Sequence, residues 1–265
     1  MSIPSEGFPL AAAVSPRVQV VTETGSTNAD LVDHLIDDPS AWPHLSVLLT
    51  DDQRAGRGRL DREWIAPPGM ALAISTVLRV DALPVSARGW IPLMAGAAMT
   101  RAVSAQLVGT VHSARLKWPN DVLLDGRKLC GILAQVVPAD AGAVVVGAGV
   151  NTDMPAEALP VPSATSLRTA GVEADADRLL ADYLTSLDEQ LQSLIASGGD
   201  AAAAGVRAEV ETLCDTIGTS VVVSLPDGTT LSGTGARIDG EGRLVVHGDS
   251  GGETVVGAGD VVHVR

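Results

Sequence analysis

Apolar residues in this chain gather in strand-length runs, and that pattern narrows the fold more than any other feature of the sequence. Ser46 to Thr50, Met70 to Val80, Val122 to Leu124, Lys128 to Val137 and Ala143 to Val150 all have the length and the apolar or β-branched content of strands. None approaches the roughly 18 to 20 apolar residues that a membrane span needs. Helical spacing is confined to separate stretches. Ser26-Thr27-Asn28 supplies the side-chain oxygens that open a helix, and Leu31, Leu35 and Ile36 follow on one face. Trp90, Leu93, Met94 and Ala97 mark a helix over about Ala87 to Leu107. Leu180, Tyr183, Leu187, Leu191 and Leu194 mark an amphipathic one over Asp175 to Ile195, ended by Ser197-Gly198-Gly199, and a short helix is expected from Ala201 to Glu211. Val18 to Thr22 and Arg115 to Trp118 add strands, and Asp125-Gly126 between two runs is a hairpin signal. The pattern predicts an α+β fold around a mixed, mostly antiparallel sheet.

The texture changes near Cys214. From Gly218 onward, β-branched runs are broken at short intervals by Pro226-Asp227-Gly228, Asp239-Gly240-Glu241-Gly242 and Ser250-Gly251-Gly252, which reads as a small all-β barrel. The 265 residues therefore divide into a poorly ordered tail over 1–17, a large domain over 18–213 and a small β domain over 214–265.

Thirty-two acidic residues against eighteen basic ones give a formal charge of −14, which disfavours a surface built to neutralise the phosphates of a long nucleic acid. Cys130 and Cys214 are far apart, and five histidines are scattered without metal-ligand spacing, so neither a disulfide framework nor a thiolate or imidazole metal site is expected. No basic residue precedes Arg17, so a secretory signal is not expected and the cytoplasm is the default compartment.

Only two of the eighteen bases are lysines, Lys117 and Lys128, and the chain has three asparagines, Asn28, Asn120 and Asn151. Lysine and asparagine are scarce here, where Arg, Asp and Ser serve instead, so the five that remain are candidates for functional roles. The stretch Gln53 to Trp64 packs four of sixteen arginines into nine positions, with Gly56 and Gly58 between them. Glycines let backbone approach a bound group, and guanidinium forks grip carboxylate or phosphate oxygens, so the stretch is read either as an anion-binding loop or as a solvated basic turn. Lys117-Trp118-Pro119-Asn120-Asp121 offers a cation, an amide and a carboxylate at a strand end. Gly126-Arg127-Lys128 places the second lysine at the start of a strand that continues through Gly131-Ile132-Leu133, and Gly147-Ala148-Gly149-Val150-Asn151 brings glycines and the third asparagine to a strand end. The last is no dinucleotide fingerprint, since the third glycine and the following helix are missing, and no phosphate-binding Gly-x-x-x-x-Gly-Lys-Ser/Thr loop occurs.

In this order, the motifs Ser26-Thr27-Asn28, Gln53 with Gly56-Arg57-Gly58-Arg59, Trp64, Lys117 to Asp121, Gly126 to Leu133 and Gly147 to Asn151 resemble the biotin protein ligase family over roughly residues 20 to 155. The resemblance implies a catalytic domain similar to class II synthetase cores with an SH3-like C-terminal domain. The implied enzyme joins biotin and MgATP into biotinyl-5′-AMP, then passes biotin to a lysine of a biotin carboxyl carrier domain, in acetyl-CoA or other acyl-CoA carboxylases or in pyruvate carboxylase. By the same resemblance Ser26, Thr27, Gln53, Arg57, Gly58 and Lys128 line the biotin and adenylate site. Arg59 and Trp64 sit on a loop folding over it, and Lys117, Asn120, Asp121 and Asn151 lie towards ATP. Asn28, Gly56, Gly131 and Gly149 complete the candidate set, with Lys128 and Arg59 as the catalytic pair. A lipoate or octanoyl ligase of the same fold, or a non-catalytic biotin or nucleotide sensor, are the competing implications. Members that repress transcription carry a helix-turn-helix ahead of the catalytic core, which 17 residues are too few to supply, so no repressor role is expected. The Arg54 to Trp64 loop is expected to be mobile without ligand and to order when biotinyl-AMP binds, because clustered arginines repel and few apolar groups oppose the entropy of the open chain.

Overall fold

The structure is a computed structural model that describes residues 3–59, 62–138, 140–225, 228–249, 251–257 and 259–263. Leu60 and Asp61 of the arginine loop, and the turn positions Pro226, Asp227 and Ser250, lie outside the described residues. Among the described residues a seven-stranded sheet forms the centre. Its strands are β1 (Val18–Val20), β2 (Val47–Thr50), β5 (Leu72–Arg79), β6 (Ala114–Lys117), β7 (Asp121–Leu124), β8 (Arg127–Val137) and β9 (Asp140–Val150). They are ordered β1-β2-β5-β9-β8-β7-β6; β1 pairs with β2 in parallel and every other neighbour is antiparallel. Asp125 and Gly126 both take positive φ, 50° and 75°, the geometry of a two-residue hairpin turn joining β7 to β8.

Strand alternation sends Leu72, Ile74, Ile132, Val146, Ala148 and Val150 into the main core beneath α3 (Ile91–Gln106) and α4 (Ala176–Ala196). The small residues of α3 let it lie close: a Cβ on Gly96 would stand 2.5 Å from Leu116 of β6. On the opposite face, α2 (Thr27–Asp37) covers Leu48, Val77 and Val145 with Leu31, Val32 and Leu35, and leaves the rest of that face open. Asp175 caps α4 by accepting from Arg178 N–H at 3.0 Å, and Gly198 and Gly199, at φ +62° and +90°, end it.

Three expectations are corrected. Residues 9–14 of the supposed tail form a helix, α1 (Pro9–Val14), whose neighbour Phe8 is buried. The buried carboxylate of Asp177, on α4, accepts from Leu10 N–H and Ala11 N–H at 2.9 Å each, satisfying donors that a helix start leaves unpaired. A six-residue helix held by a group this distant in sequence shows no periodicity of its own. The helix expected from Ala87 begins at Ile91, with Pro92 in its first turn and a 3-10 turn over Val85–Trp90 before it. The helix expected from Ala201 is α5 (Val206–Leu213): Asp200 draws Ala202 N–H and Ala203 N–H into a turn, and Gly205, at φ +77°, separates it from the helix.

The C-terminal strands β10 (Ser220–Ser224), β11 (Thr230–Ile238), β12 (Leu244–Gly248), β13 (Glu253–Val256) and β14 (Asp260–His263) form an antiparallel sheet ordered β13-β12-β11-β10-β14, a small β domain. Two buried tryptophans join it to the central domain: Trp90 Nε1 donates to Gly240 O at 2.9 Å and Trp118 Nε1 to Gly242 O at 3.1 Å. Among the described residues no helix is long and apolar enough to cross a membrane.

Candidate active site

The open part of the sheet face beside α2 is a trough floored by small residues. Ala73 and Ser75 of β5 pair with Gly149 and Gly147 of β9, and these in turn pair with Gly131 and Leu133 of β8. Side chains with period two would otherwise fill this face. Here the missing side chains create a cavity of about 160 Å³. The fit is tight: a Cβ on Gly147 would stand 2.4 Å from Asn28 Oδ1, and one on Gly149 2.5 Å from the Trp64 indole.

The N-terminus of α2 closes one end. Ser26 caps it, its hydroxyl accepting from Ala29 N–H at 3.4 Å. Thr27 donates to Gln53 Oε1 from its N–H at 2.9 Å and from its hydroxyl at 3.1 Å. Buried Ser75 donates to Asn28 Oδ1 at 2.6 Å, while Asn28 Nδ2 donates to Leu133 O at 3.2 Å. Both ends of the Asn28 amide are therefore committed, and it serves as a fixed wall.

The arginine stretch forms the roof. β3 (Gly56–Arg57) and β4 (Glu63–Trp64) pair as a short hairpin, and a Cβ on Gly56 would meet Gln53 Nε2 and Trp64 O, so glycine lets the hairpin reach Gln53. Contacts among the described residues tie this roof down. Arg54 pairs with Asp52 and Glu23, Arg59 Nη1 donates to Asn120 Oδ1 at 3.1 Å, and Arg62 pairs with Asp260 of β14. Arg57, on the cavity wall, makes no hydrogen bond or ion pair with the described residues.

Lys128 stands at the far end. A bulge between β7 and β8 leaves Leu129 as an extra residue, so that Leu129 and Cys130 are both buried and Lys128 is turned over Gly131, whose Cβ would lie 3.3 Å from its Nζ. The Asp121 carboxylate is ion-paired with Lys128, its Oδ1 2.6 Å from Nζ, and holds the ammonium in place. Burial pushes Lys117 below the usual lysine range; the Asp121 carboxylate opposes that shift and the Lys128 ammonium adds to it. Burial likewise lowers Arg59, against the charges of Asp260 and Asp121. The Cys130 thiol is pushed up by burial, so it is no thiolate nucleophile. Beyond Lys128 a second cavity of about 310 Å³ adjoins the first across Glu63, Trp64, Lys128, Gly131 and Gly149, and extends to Asn151 and Pro160.

Of the candidates, Ser26, Thr27, Asn28, Gln53, Arg57, Gly58 and Arg59 meet on the first cavity's wall with Trp64, Asn120, Asp121, Lys128, Gly131 and Gly149. Three do not. Gly56 lies behind the wall, Lys117 is half-buried beside it, and Asn151 is on the second cavity, where its Nδ2 donates to Thr165 O at 2.9 Å. The wall also contains Arg62, Glu63, Ala73, Leu133, Gly147 and Asp260, outside the candidate set. The spacing of Gly147 and Gly149, two glycines on one face of a strand, is a signal for the trough. Nothing local marks Ser75 inside an apolar strand or Asp260 in the small domain.

A family model described as the Biotin/lipoate A/B protein ligase family matches residues 20–151. The chain is 40% identical over 251 residues to the biotin--[acetyl-CoA-carboxylase] ligase of Mycobacterium tuberculosis, covering 94% of this chain and 90% of that protein. It is 32% identical over 179 residues to the bifunctional ligase/repressor BirA of Escherichia coli, covering 66% of this chain and 53% of BirA, so it matches about half the length of that relative. The fold matches the biotin protein ligase from Aquifex aeolicus in complex with biotin and ATP with a TM-score of 0.74 at 21% identity, over 94% of this chain and 99% of the other. With its trough, roof and strand-borne lysine, and with this likeness to a relative over nearly its whole length, the chain belongs to the biotin/lipoate A/B protein ligase family.

Proposed function

We propose that this protein is a biotin–carrier protein ligase: it activates biotin with ATP to biotinyl-5′-AMP and transfers the biotinyl group to a lysine of a biotin carboxyl carrier domain. The observation that carries the reading is the pair of adjoining cavities meeting at Lys128, one a trough floored by small residues and the other open beyond it. The trough takes the fused rings and alkyl chain, with the polar groups at the start of α2 and Gln53 for the ureido edge. The second cavity, with Asn151, takes the nucleotide.

In the first half-reaction a carboxylate oxygen of biotin attacks the α-phosphorus of ATP, and the bond to pyrophosphate breaks. Two anions must approach, and the negative charge on the phosphoryl oxygens must be held in place. Lys128, fixed by Asp121, and Arg57 and Arg59 from the roof supply the cations where that charge develops. Mg²⁺ bound with the nucleotide would neutralise phosphate charge; the wall carboxylates Asp121 and Asp260 are paired with Lys128 and Arg62, so such an ion would be held mainly by phosphate oxygens. In the second half-reaction the neutral amine of the acceptor lysine attacks the acyl carbon. AMP leaves with the bonding pair, and the amine proton passes to solvent or to AMP. Trp64, seated on Gly149, limits water at the anhydride in the meantime.

In this reading residues 18–213 carry the chemistry and residues 214–265 form an SH3-like cap. The acceptor is the carrier domain of acetyl-CoA carboxylase, as the name of the Mycobacterium tuberculosis relative suggests, and the reaction is assigned to the cytoplasm as the default compartment. The test is intact-mass spectrometry of a recombinant carrier domain incubated with the protein, biotin and ATP. The expected result is one added biotinyl group, absent when the acceptor lysine is replaced by arginine. An unchanged carrier mass with biotin, together with acylation by lipoate or octanoate, would reassign the substrate.

A further inference from the structure

The roof has a fastening that the chemistry of Lys128 does not require and that comes from the far end of the chain. Its ladder is only two register pairs long, Gly56 with Trp64 and Arg57 with Glu63, and so short a ribbon is not stable alone. Arg54 and Trp64 secure its base. At the other end, Arg62 N–H donates to Arg59 O at 3.3 Å and Gly58 N–H donates to Arg62 O at 2.6 Å, so the backbone of Gly58 and Arg59 moves with Arg62. The Arg62 guanidinium is ion-paired with Asp260, and Arg59 Nη2 donates to the adjacent Gly259 O at 3.4 Å. Asp260 lies on the cavity wall, and its carboxylate also favours the charged forms of Arg59 and Lys117.

We propose that Asp260 is a positioning residue: through Arg62 it holds Gly58 and Arg59 down over the cavity, and so slows escape of the acyl adenylate between the two half-reactions. The identity of that ligand rests on the ligase reading. A mixed anhydride acylates any amine it meets, so the interval before the acceptor lysine arrives is when a seated roof matters. The C-terminal domain thereby contributes to a site whose other wall residues come from the central domain. An exposed ion pair shifts an equilibrium by up to about fivefold, which sets the scale of the effect.

The experiment loads the full-length protein with labelled biotin and ATP and follows loss of labelled adenylate after a chase with unlabelled biotin. Asp260→Asn and Arg62→Gln are each expected to speed release by about threefold to fivefold. The double variant should be no faster than the faster single, and Asp260→Glu should stay near the wild-type rate. Unchanged release in both single variants, or effects that multiply in the double, would overturn the proposal. Hydrogen exchange at the Gly58 and Arg59 amides without ligand reads the tether apart from the substrate. Faster exchange in Asp260→Asn supports it, even if biotin yields no adenylate and the ligase reading falls, whereas equal exchange removes it.

Discussion

Lys128 is an exposed lysine by position and a fixed one by surroundings, because the bulge at Leu129 aims it and Asp121 holds it at 2.6 Å. A compact ammonium at the junction of two cavities can follow charge onto the phosphoryl oxygens. Lys128→Ala should lower biotin-dependent adenylate formation by about 10² to 10³ in rate, the scale for loss of one preorganised charge donor. Lys128→Arg should recover little of it, since a planar fork cannot take the place of a point charge over Gly131. Single-turnover rates read both, and a wild-type rate in Lys128→Ala would remove Lys128 from the mechanism. At this scale the sequence was informative where a residue type was scarce: Lys128, Asn28 and Asn120 all reach the cavity wall. Scarcity did not distinguish them from Lys117, beside the wall, or Asn151, across the second cavity, since position relative to a ligand depends on strand pairing that a linear pattern does not carry.

Strands and hairpins were legible because each is a local pattern: period-two burial, an Asp-Gly turn, a capped helix start. The elements that escaped are those stabilised from afar. The helix α1 is anchored by Asp177, 166 residues beyond Ala11, and its own six residues offer no amphipathic signature. Asp177→Ala strands two helix N–H donors and should cost about 1–3 kcal/mol of stability, with activity per folded molecule retained. Denaturant unfolding monitored beside single-turnover activity checks this, and an unchanged midpoint would mean that α1 adds nothing to the fold. The arginine hairpin is the opposite case, a motif plain in sequence whose tethers are not. Arg57 lies on the cavity wall, so on the ligase reading a bound adenylate would bring it a counter-charge and should slow hydrogen exchange across the hairpin. Equal exchange with and without a non-hydrolysable biotinyl-AMP analogue would mean that the roof is fully formed before ligand binds.

At the level of the whole molecule, the central and C-terminal sheets meet at one cavity, and the joint is built from tryptophan donors, backbone carbonyls and the Arg62 ion pair with Asp260. The small domain carries its own pH dependence. Glu253, beside Arg237 and His247, has its carboxyl lowered to about 2, with the Arg237 hydrogen bond the larger cause. Its folded value lies below the ordinary 4.5, so its contribution is complete above about pH 4.5 and is lost as pH falls towards 2. Glu253→Gln should therefore flatten the acid limb of thermal stability in that window, and parallel wild-type and variant curves would show that the pair contributes nothing. The C-terminal run of short strands was visible in sequence as a change in texture, whereas the wall residue Asp260 was not, because only the packed joint brings it to the cavity. The central claim, ATP-dependent activation of biotin at this shared cavity, is tested most directly by isotope exchange between pyrophosphate and ATP in the presence of biotin, lipoate or octanoate. The account predicts exchange that depends on biotin; exchange with lipoate or octanoate and none with biotin would contradict it.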